Sequence, residues 1–358
     1  MRITEIVLRR LRLPLRKPYR RSYRVDHTFD PLLVEVHDDA GRVGWGNAVI
    51  VPGYTHETPE ESWRLLAQIL PSLIGSTPSR AAQQLIGSFD TCPNGVTCAV
   101  AALEMLERSV LLQVAEDRRV PLLQGLSAQT ADDAPAEARS IIEAGFTTIK
   151  VKVGFDVDAD LALVRAVQGA TAGRASIRLD ANRGFTREQG CRFGAALDPA
   201  GIELFEQPCE SHDWPSNAAV AAVSTVPVML DESIYSLADI ERAAAIRGVR
   251  FVKLKLKKAG SLSRLHEWLL RIRELGMVPV LGDGVATDLD CWMESCIAGT
   301  TIENAGEMNG FLRLRRGLFR NPLPFEGGSV LLPAGYWPEL DTDTVEDSTR
   351  AVERYVSR

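Results

Sequence analysis

The chain has 358 residues, 45% of them hydrophobic and 25% charged, with a formal net charge of −6. Such a length suits one large or two ordinary globular domains, and the acidic balance argues against a broad nucleic-acid face. No run of about 18 apolar residues occurs, so no membrane-spanning helix is expected. Six cysteines are scattered without a C-x-x-C pair, which points to buried thiols in a reduced, cytoplasmic protein.

The N-terminal MRITEIVLRRLRLPL alternates apolar and polar residues and reads as a strand, not a signal peptide. PLLVEVHDDAGRVGWGNAV continues as antiparallel strands, with turn chemistry at Asp39–Gly41. Thr58, Pro59 and Glu61 form a helix start: an N-cap, a proline at the first helical position and a capping-box acid. TCAVAALEMLERSVLLQVA is almost wholly apolar and predicts a buried helix. Residues 1–119 therefore read as an α+β domain.

From Val120 the pattern changes. VPLLQGL is followed by seven apolar runs that each stop on a polar or charged residue: Lys152, Asp180, Glu206, Asp231, Lys255, Asp283 and Glu307. These ends lie 24–28 residues apart, about one strand, one helix and two short loops. Helical segments fill the gaps, several closing on glycine. Counting VPLLQGL, eight strands predict a parallel α/β barrel over residues 120–321, with charges on its carboxyl-terminal rim. Residues 322–358 are rich in proline and glycine, too short for a domain, and should pack back on the first one.

Asp180, Glu206 and Asp231 end three consecutive strands. Neighbouring parallel strands lie about 5 Å apart, so three carboxylates can converge on one point, where they repel unless a cation joins them. An all-oxygen set suits a hard ion, and Mg²⁺ suits a few carboxylates with open positions. Lys152 and Lys255 lie on the strands before and after this triad. Two opposed amines around a metal suit removal of the proton α to a carboxylate, with an enediolate between two proton transfers. Lys150 shares the strand face of Lys152. Lys253, Lys255 and Lys257 also share a face, and Lys258 is near, so spacing alone does not choose among them.

TIKVKVG, LDANRGF, FEQP, LDES, KLKKAGS and GRVGWGNA together resemble the enolase superfamily, in its muconate lactonizing enzyme subgroup (the mandelate racemase/muconate lactonizing enzyme family). The resemblance covers nearly the whole chain. It implies a modified (β/α)7β TIM barrel with an N-terminal α+β capping domain, and a Mg²⁺ cofactor. It implies ligand roles for Asp180, Glu206 and Asp231, and catalytic roles for Lys152 and Lys255. Lys150, Asn182 and Glu232 then fall in the surrounding shell. AGEMNG resembles the G-T-E-L-F-G of the eighth strand and puts Glu307 at the rim. Four positions depart: Asn47 replaces the acid of G-W-G-E-A, Asp283 stands where a small polar residue is usual, Ser261 replaces a glycine, and VPLLQGL lacks the common L-L-G-G ending.

In this family two capping loops set specificity, here Leu15–Phe29 and Val49–Glu57. The first is basic, and Arg20 and Arg24 are candidates to bind a distal anionic group of the substrate; a solvated basic loop reads equally well. Tyr54 is a candidate contact from the second. Asp283 and Glu307 could bind a substrate ammonium. The expected activity is racemisation or epimerisation of an amino acid derivative or dipeptide. A lyase or cycloisomerase using the same enediolate is the alternative, and an inactive binding protein a third reading. The expected partner is a small-molecule carboxylate, with no nucleic acid or membrane, and the expected assembly a homo-oligomer.

Overall fold

The computed structural model describes residues 1–20, 25–52 and 55–357. The N-terminal region opens with β1 (Ile3–Leu11), the hairpin β2 (Leu13–Arg20) and β3 (Val25–Phe29), then β4 (Leu32–Asp38) and β5 (Val43–Ala48). Helices α1 (Pro59–Ile69), α2 (Pro78–Ile86) and α3 (Pro93–Leu106) follow. Thr58 caps α1 through the Glu61 backbone N–H while Glu61 reaches back to Thr58, the reciprocal box expected from the sequence. Almost every residue of α3 is buried. It lies so close to β5 that a Cβ on Gly46 would stand 2.0 Å from the Cys98 carbonyl oxygen, so the strand has glycine where the helix backbone presses on it.

The barrel is a seven-stranded parallel sheet. Its members are β7 (Gln124–Gly125), β8 (Thr148–Lys152), β9 (Ser176–Asp180), β10 (Ile202–Glu206), β11 (Val228–Leu230), β12 (Val249–Leu254) and β13 (Val278–Leu281), neighbouring in that order. Helices α4 (Ala134–Glu143), α5 (Val157–Thr171), α6 (Arg187–Ala196), α7 (Trp214–Val223), α8 (Leu237–Ala244), α9 (Leu256–Ala259), α10 (Leu262–Glu274) and α11 (Asp288–Thr301) fall between or after them. Their buried faces share one core with the strands.

Two strands expected from the sequence are altered. VPLLQGL is divided: β6 (Arg118–Pro121) pairs antiparallel with β15 (Ser329–Leu332), which follows β14 (Phe325–Glu326), and only Gln124–Gly125 joins the barrel. TIENAGE shrinks to a single parallel bridge, Gly306 to Leu122. Its place at the seam is held by a few bonds: Glu307 N–H to Leu281 O (2.9 Å), Gly306 N–H to Pro121 O (2.9 Å) and Leu123 N–H to Gly306 O (2.9 Å). Side chains complete the closure where a strand ladder would. Asn304 Nδ2 donates to Pro279 O (2.9 Å), and fully buried Arg178 donates to Ala305 O (2.8 Å) while paired with Glu203.

The C-terminal residues return to the first domain. After α12 (Thr342–Ser348), β16 (Thr349–Val356) pairs antiparallel with β1, giving a sheet of order β16-β1-β4-β5. The two regions are also joined by Glu104 on α3. It accepts from Leu262 N–H (2.7 Å), Ser263 N–H (3.1 Å) and Ser263 Oγ (2.8 Å), capping α10. All six cysteines are free thiols, five of them buried. Among the described residues no helix is long and apolar enough to cross a membrane.

Candidate active site

Strand register assembles the site. Lys152 is level with Asp180 across β8 and β9, and Asp180 with Glu206 across β9 and β10. Asp231 follows the last residue of β11, and Lys255 the last of β12. Because side chains two apart share a face of a strand, Lys150 lies behind Lys152 and Lys253 behind Lys255, both inside the barrel. Gly282, just past β13 at φ 125°, lets the chain turn against the backbone of Glu307 and Met308, where a Cβ would collide at 2.5–2.6 Å.

The carboxylates and ammonium groups interleave. Lys150 Nζ is 2.9 Å from Asp180 Oδ2, Glu206 Oε2 and Glu307 Oε2 alike. Lys253 Nζ is 3.1 Å from Glu206 Oε1 and also contacts Glu307. At one end Lys152 Nζ donates to Asp180 Oδ2 at 2.5 Å and contacts Asn182 Oδ1. At the other, Lys255 Nζ is 2.8 Å from Asp231 Oδ2 and Lys258 Nζ 2.6 Å from its Oδ1. The Lys152 side chain is 44% exposed and the Lys255 side chain 7%. Asn182 Nδ2 donates to Glu232 Oε1 at 3.2 Å, which ties the DAN and DES turns together.

This packing shifts the titrations. Burial would raise Asp180, Asp231 and Glu307, but the neighbouring lysines outweigh it and hold all three below the usual carboxylate range. Glu206 goes up through burial and the charge of Asp180. Glu232 is pushed up to about 7 by burial, then by Asp231 and Asp180. Burial also opposes the charge on Lys150 and Lys255, yet their carboxylate partners overcome it and raise both; Asp180 likewise raises Lys152, the most exposed of the three. Lys258, enclosed beside the Tyr235 ring, is brought down to about 8 by burial.

Several residues that the sequence did not single out build this site. Gln207 of FEQP, at φ 35°, accepts from Asp231 N–H (3.0 Å) and Ser233 N–H (3.1 Å) and donates to Ser233 Oγ (2.8 Å), fixing the turn that carries Asp231. Glu294 on α11 accepts from Leu256 N–H (2.8 Å) and Asp283 N–H (3.2 Å), so it holds the chain beside Lys255. Its carboxyl is pushed up to about 8 by burial and by Asp283. A lone glutamate within the apolar LDCWMESCIAG was the available signal. Lys253 does share the face of Lys255, as its spacing predicts, though that spacing assigned it no role.

The candidate substrate contacts fall differently. Asp283 is paired with Lys257, and Glu307 with Lys150 and Lys253. Arg20 ends β2 opposite Val25, but its side chain lies outside the described residues, as do Arg24 and Tyr54. Nearby, Arg16 Nε donates to Leu314 O (2.8 Å), and the Arg313 guanidinium stacks on the Tyr19 ring at 4.3 Å. These contacts seat the first capping loop against the segment after the barrel seam.

The donor set fits a hard cation. Asp180, Glu206 and Asp231 are each at most 1% exposed and offer only oxygen. Glu206 Oε2 and Glu232 Oε2 are buried without a hydrogen-bond partner, the first standing near Lys150 outside bonding geometry. Yet among the described residues no three acidic, His or Cys side chains are spaced to hold an ion as they stand. The ammonium groups of Lys150 and Lys253 lie between the carboxylates, so an entering ion would displace them from Asp180 and Glu206, leaving Glu307 as their shared partner.

With this fold and site in view, comparison with known proteins gives the class. Residues 133–336 match the enolase C-terminal domain-like model, and the chain belongs to the mandelate racemase/muconate lactonizing enzyme family of the enolase superfamily. An aromatic dipeptide epimerase from Herpetosiphon aurantiacus is 30% identical over 337 residues, 89% of this chain and 91% of that one. An o-succinylbenzoate synthase from Geobacillus kaustophilus is 30% identical over 323 residues, covering 84% and 82%. A dipeptide epimerase from Cytophaga hutchinsonii, solved with Mg and D-Ala-L-Val, shares the fold at TM-score 0.89 and 19% identity, covering 99% of this chain and all of that one.

Proposed function

We propose that this chain is a Mg²⁺-dependent isomerase that racemises or epimerises the carbon α to a carboxylate in an amino acid derivative or dipeptide. The observation that carries this reading is the order Lys152–Asp180–Glu206–Asp231–Lys255, with an amine bonded to the first and last carboxylate. Asp180, Glu206 and Asp231 would hold the ion, which when bound supplies positive charge for the substrate carboxylate and its enediolate form.

The chain's own groups then move the proton. One lysine, neutral at Nζ, takes the proton from Cα, and the C–H electron pair enters the bond to the carboxylate carbon. The other lysine, as an ammonium, gives a proton to the opposite face. The two amines exchange protonation states and the substrate is inverted, with no net change in composition. The two lysines are held protonated by Asp180 and Asp231. Transfer of those carboxylates to a cation would relax that hold. Asn182 orients the Lys152 amine, and Lys258 and Gln207 orient Asp231.

The charges support an anionic substrate. Six carboxylates (Asp180, Glu206, Asp231, Glu232, Asp283, Glu307) face six lysines (Lys150, Lys152, Lys253, Lys255, Lys257, Lys258). A divalent ion therefore leaves the site positive. The test is α-proton exchange in deuterium oxide, followed by NMR over a panel of N-acyl amino acids, dipeptides and hydroxy acids. Mg²⁺-dependent exchange with inversion is expected; exchange that survives chelation would contradict the reading. The o-succinylbenzoate synthase relative favours a second reading, elimination from the same enediolate, which would appear as loss of the substrate skeleton. The unpaired thiols support a reducing, cytoplasmic location, and light scattering would test the homo-oligomer expected from the family.

A further inference from the structure

Lys253 stands out among the site's lysines. It is 2% exposed and lies inside the barrel. Its ammonium contacts Glu307 and is 3.1 Å from Glu206 and 3.9 Å from Asp231. Glu307 already has a second cation, Lys150, at 2.9 Å. The carboxylate at the barrel seam, which the sequence puts at the rim, is thus enclosed by two lysine side chains. At the neighbouring seventh-strand end, Asp283 is matched by Lys257.

A carboxylate so enclosed offers little to an incoming ammonium. The ligand's positive charge would be brought beside Lys150 and Lys253, within a water-poor site where like charges repel strongly. An interface rejects a competitor by presenting it with such an unfavourable charge.

We propose that Lys253 is a specificity-determining residue that neutralises Glu307, so that the site selects N-acyl amino acids carrying no ammonium over free dipeptides, whose N-terminus is one. This rests on the α-proton chemistry proposed above and narrows its substrate class. Lys253 need not touch the reacting carbon; it sets what Glu307 can accept.

A matched pair of ligands tests it. N-propionyl and L-alanyl derivatives of the same amino acid differ by the ammonium alone, and a panel of parent amino acids covers the unknown side chain. In the Mg²⁺-loaded protein, both kcat/KM for α-proton exchange and Kd by calorimetry should favour the N-propionyl member by about tenfold or more. Lys253→Met should move that ratio at least tenfold toward the alanyl member, whereas Lys253→Arg should keep the wild-type ratio. The double variant Lys253→Met/Glu307→Gln, which leaves no unmatched buried charge, should return to the N-propionyl preference and guards against a folding defect in the single variant.

A wild-type ratio near one, or a ratio unmoved by Lys253→Met, would overturn the proposal. Binding without exchange would instead overturn the α-proton chemistry while the Kd ratio still reads the ammonium rule. Failure of every pair to bind counts against both.

Discussion

The capping region and the barrel mouth bury carboxylates in opposite ways. In the cap, Glu57 accepts from Asn94 N–H (2.8 Å) and Ser62 Oγ (2.6 Å), and Glu104 takes the first N–H groups of α10. Their partners are backbone and hydroxyl groups that cannot leave. At the barrel mouth, Asp180, Glu206 and Asp231 are held by lysine ammoniums on long, flexible stems. Those partners can withdraw when an ion or substrate arrives. A buried carboxylate tied to backbone serves stability; one tied to lysine remains available for exchange. Glu294 and Asp283 stand side by side, the first receiving backbone N–H groups alone and the second Lys257 as well as Val285 N–H (3.0 Å).

The strongest way to break this contrast is at the barrel mouth. Asp180→Asn should lower α-proton exchange by about 10³-fold or more, consistent with the loss of a group acting on the reacting charge. It should leave circular dichroism and the unfolding midpoint near wild type. A large stability loss with modest activity loss would make the triad structural. In the cap the expected outcome is reversed. Glu104→Ala should cost about 1–3 kcal/mol, since it strands the α10 donors, while activity per folded molecule stays unchanged; chemical denaturation beside initial rates reads both.

Much of this contrast was legible beforehand. The residues that stop apolar runs could be read because a buried strand is apolar and its end is not. The capping box at Thr58–Glu61 could be read because its chemistry is local. The division of VPLLQGL between two sheets could not, because it depends on pairing with β15, some 200 residues away. The shortened eighth strand is similar: a single parallel bridge, Leu122 to Gly306, remains there, and Arg178 on β9 helps close the seam through Ala305, well over a hundred residues away in sequence. Lysine pairing was also hidden. A period of two places Lys253 and Lys255 on one face, but only the assembled barrel brings Glu206 and Glu307 to Lys253.

Smaller effects sharpen the comparison through pH. The Glu294 carboxyl is raised to about 8 by burial, so the folded protein binds its proton more tightly than the unfolded chain. Its contribution to stability is therefore present at low pH and declines as pH rises from about 4.5 towards 8, with a slope approaching 1.4 kcal/mol per pH unit at most. Glu294→Gln should flatten the pH dependence of the unfolding midpoint across that window. The smallest effect belongs to the partly buried pair in the cap sheet. The hydrogen bond to Glu35, opposed by burial, raises His37, so this pair stabilises the fold below pH about 6.5 and ceases to do so as pH rises through the raised value. His37→Gln should remove about 0.5 kcal/mol at pH 5.5 and almost nothing at pH 9.

The central claim, two lysines serving opposite faces of one carbon, is tested most directly with single enantiomers. Each enantiomer of an active substrate is incubated separately in deuterium oxide with Lys152→Ala or Lys255→Ala, and loss of the α-proton signal is followed by NMR. Each variant should stop exchange of the enantiomer whose hydrogen faces the missing amine and retain exchange of the other. The two variants should show mirror-image patterns. Equal loss for both enantiomers in either variant, or exchange undiminished in both, would contradict a site in which each lysine commands one face.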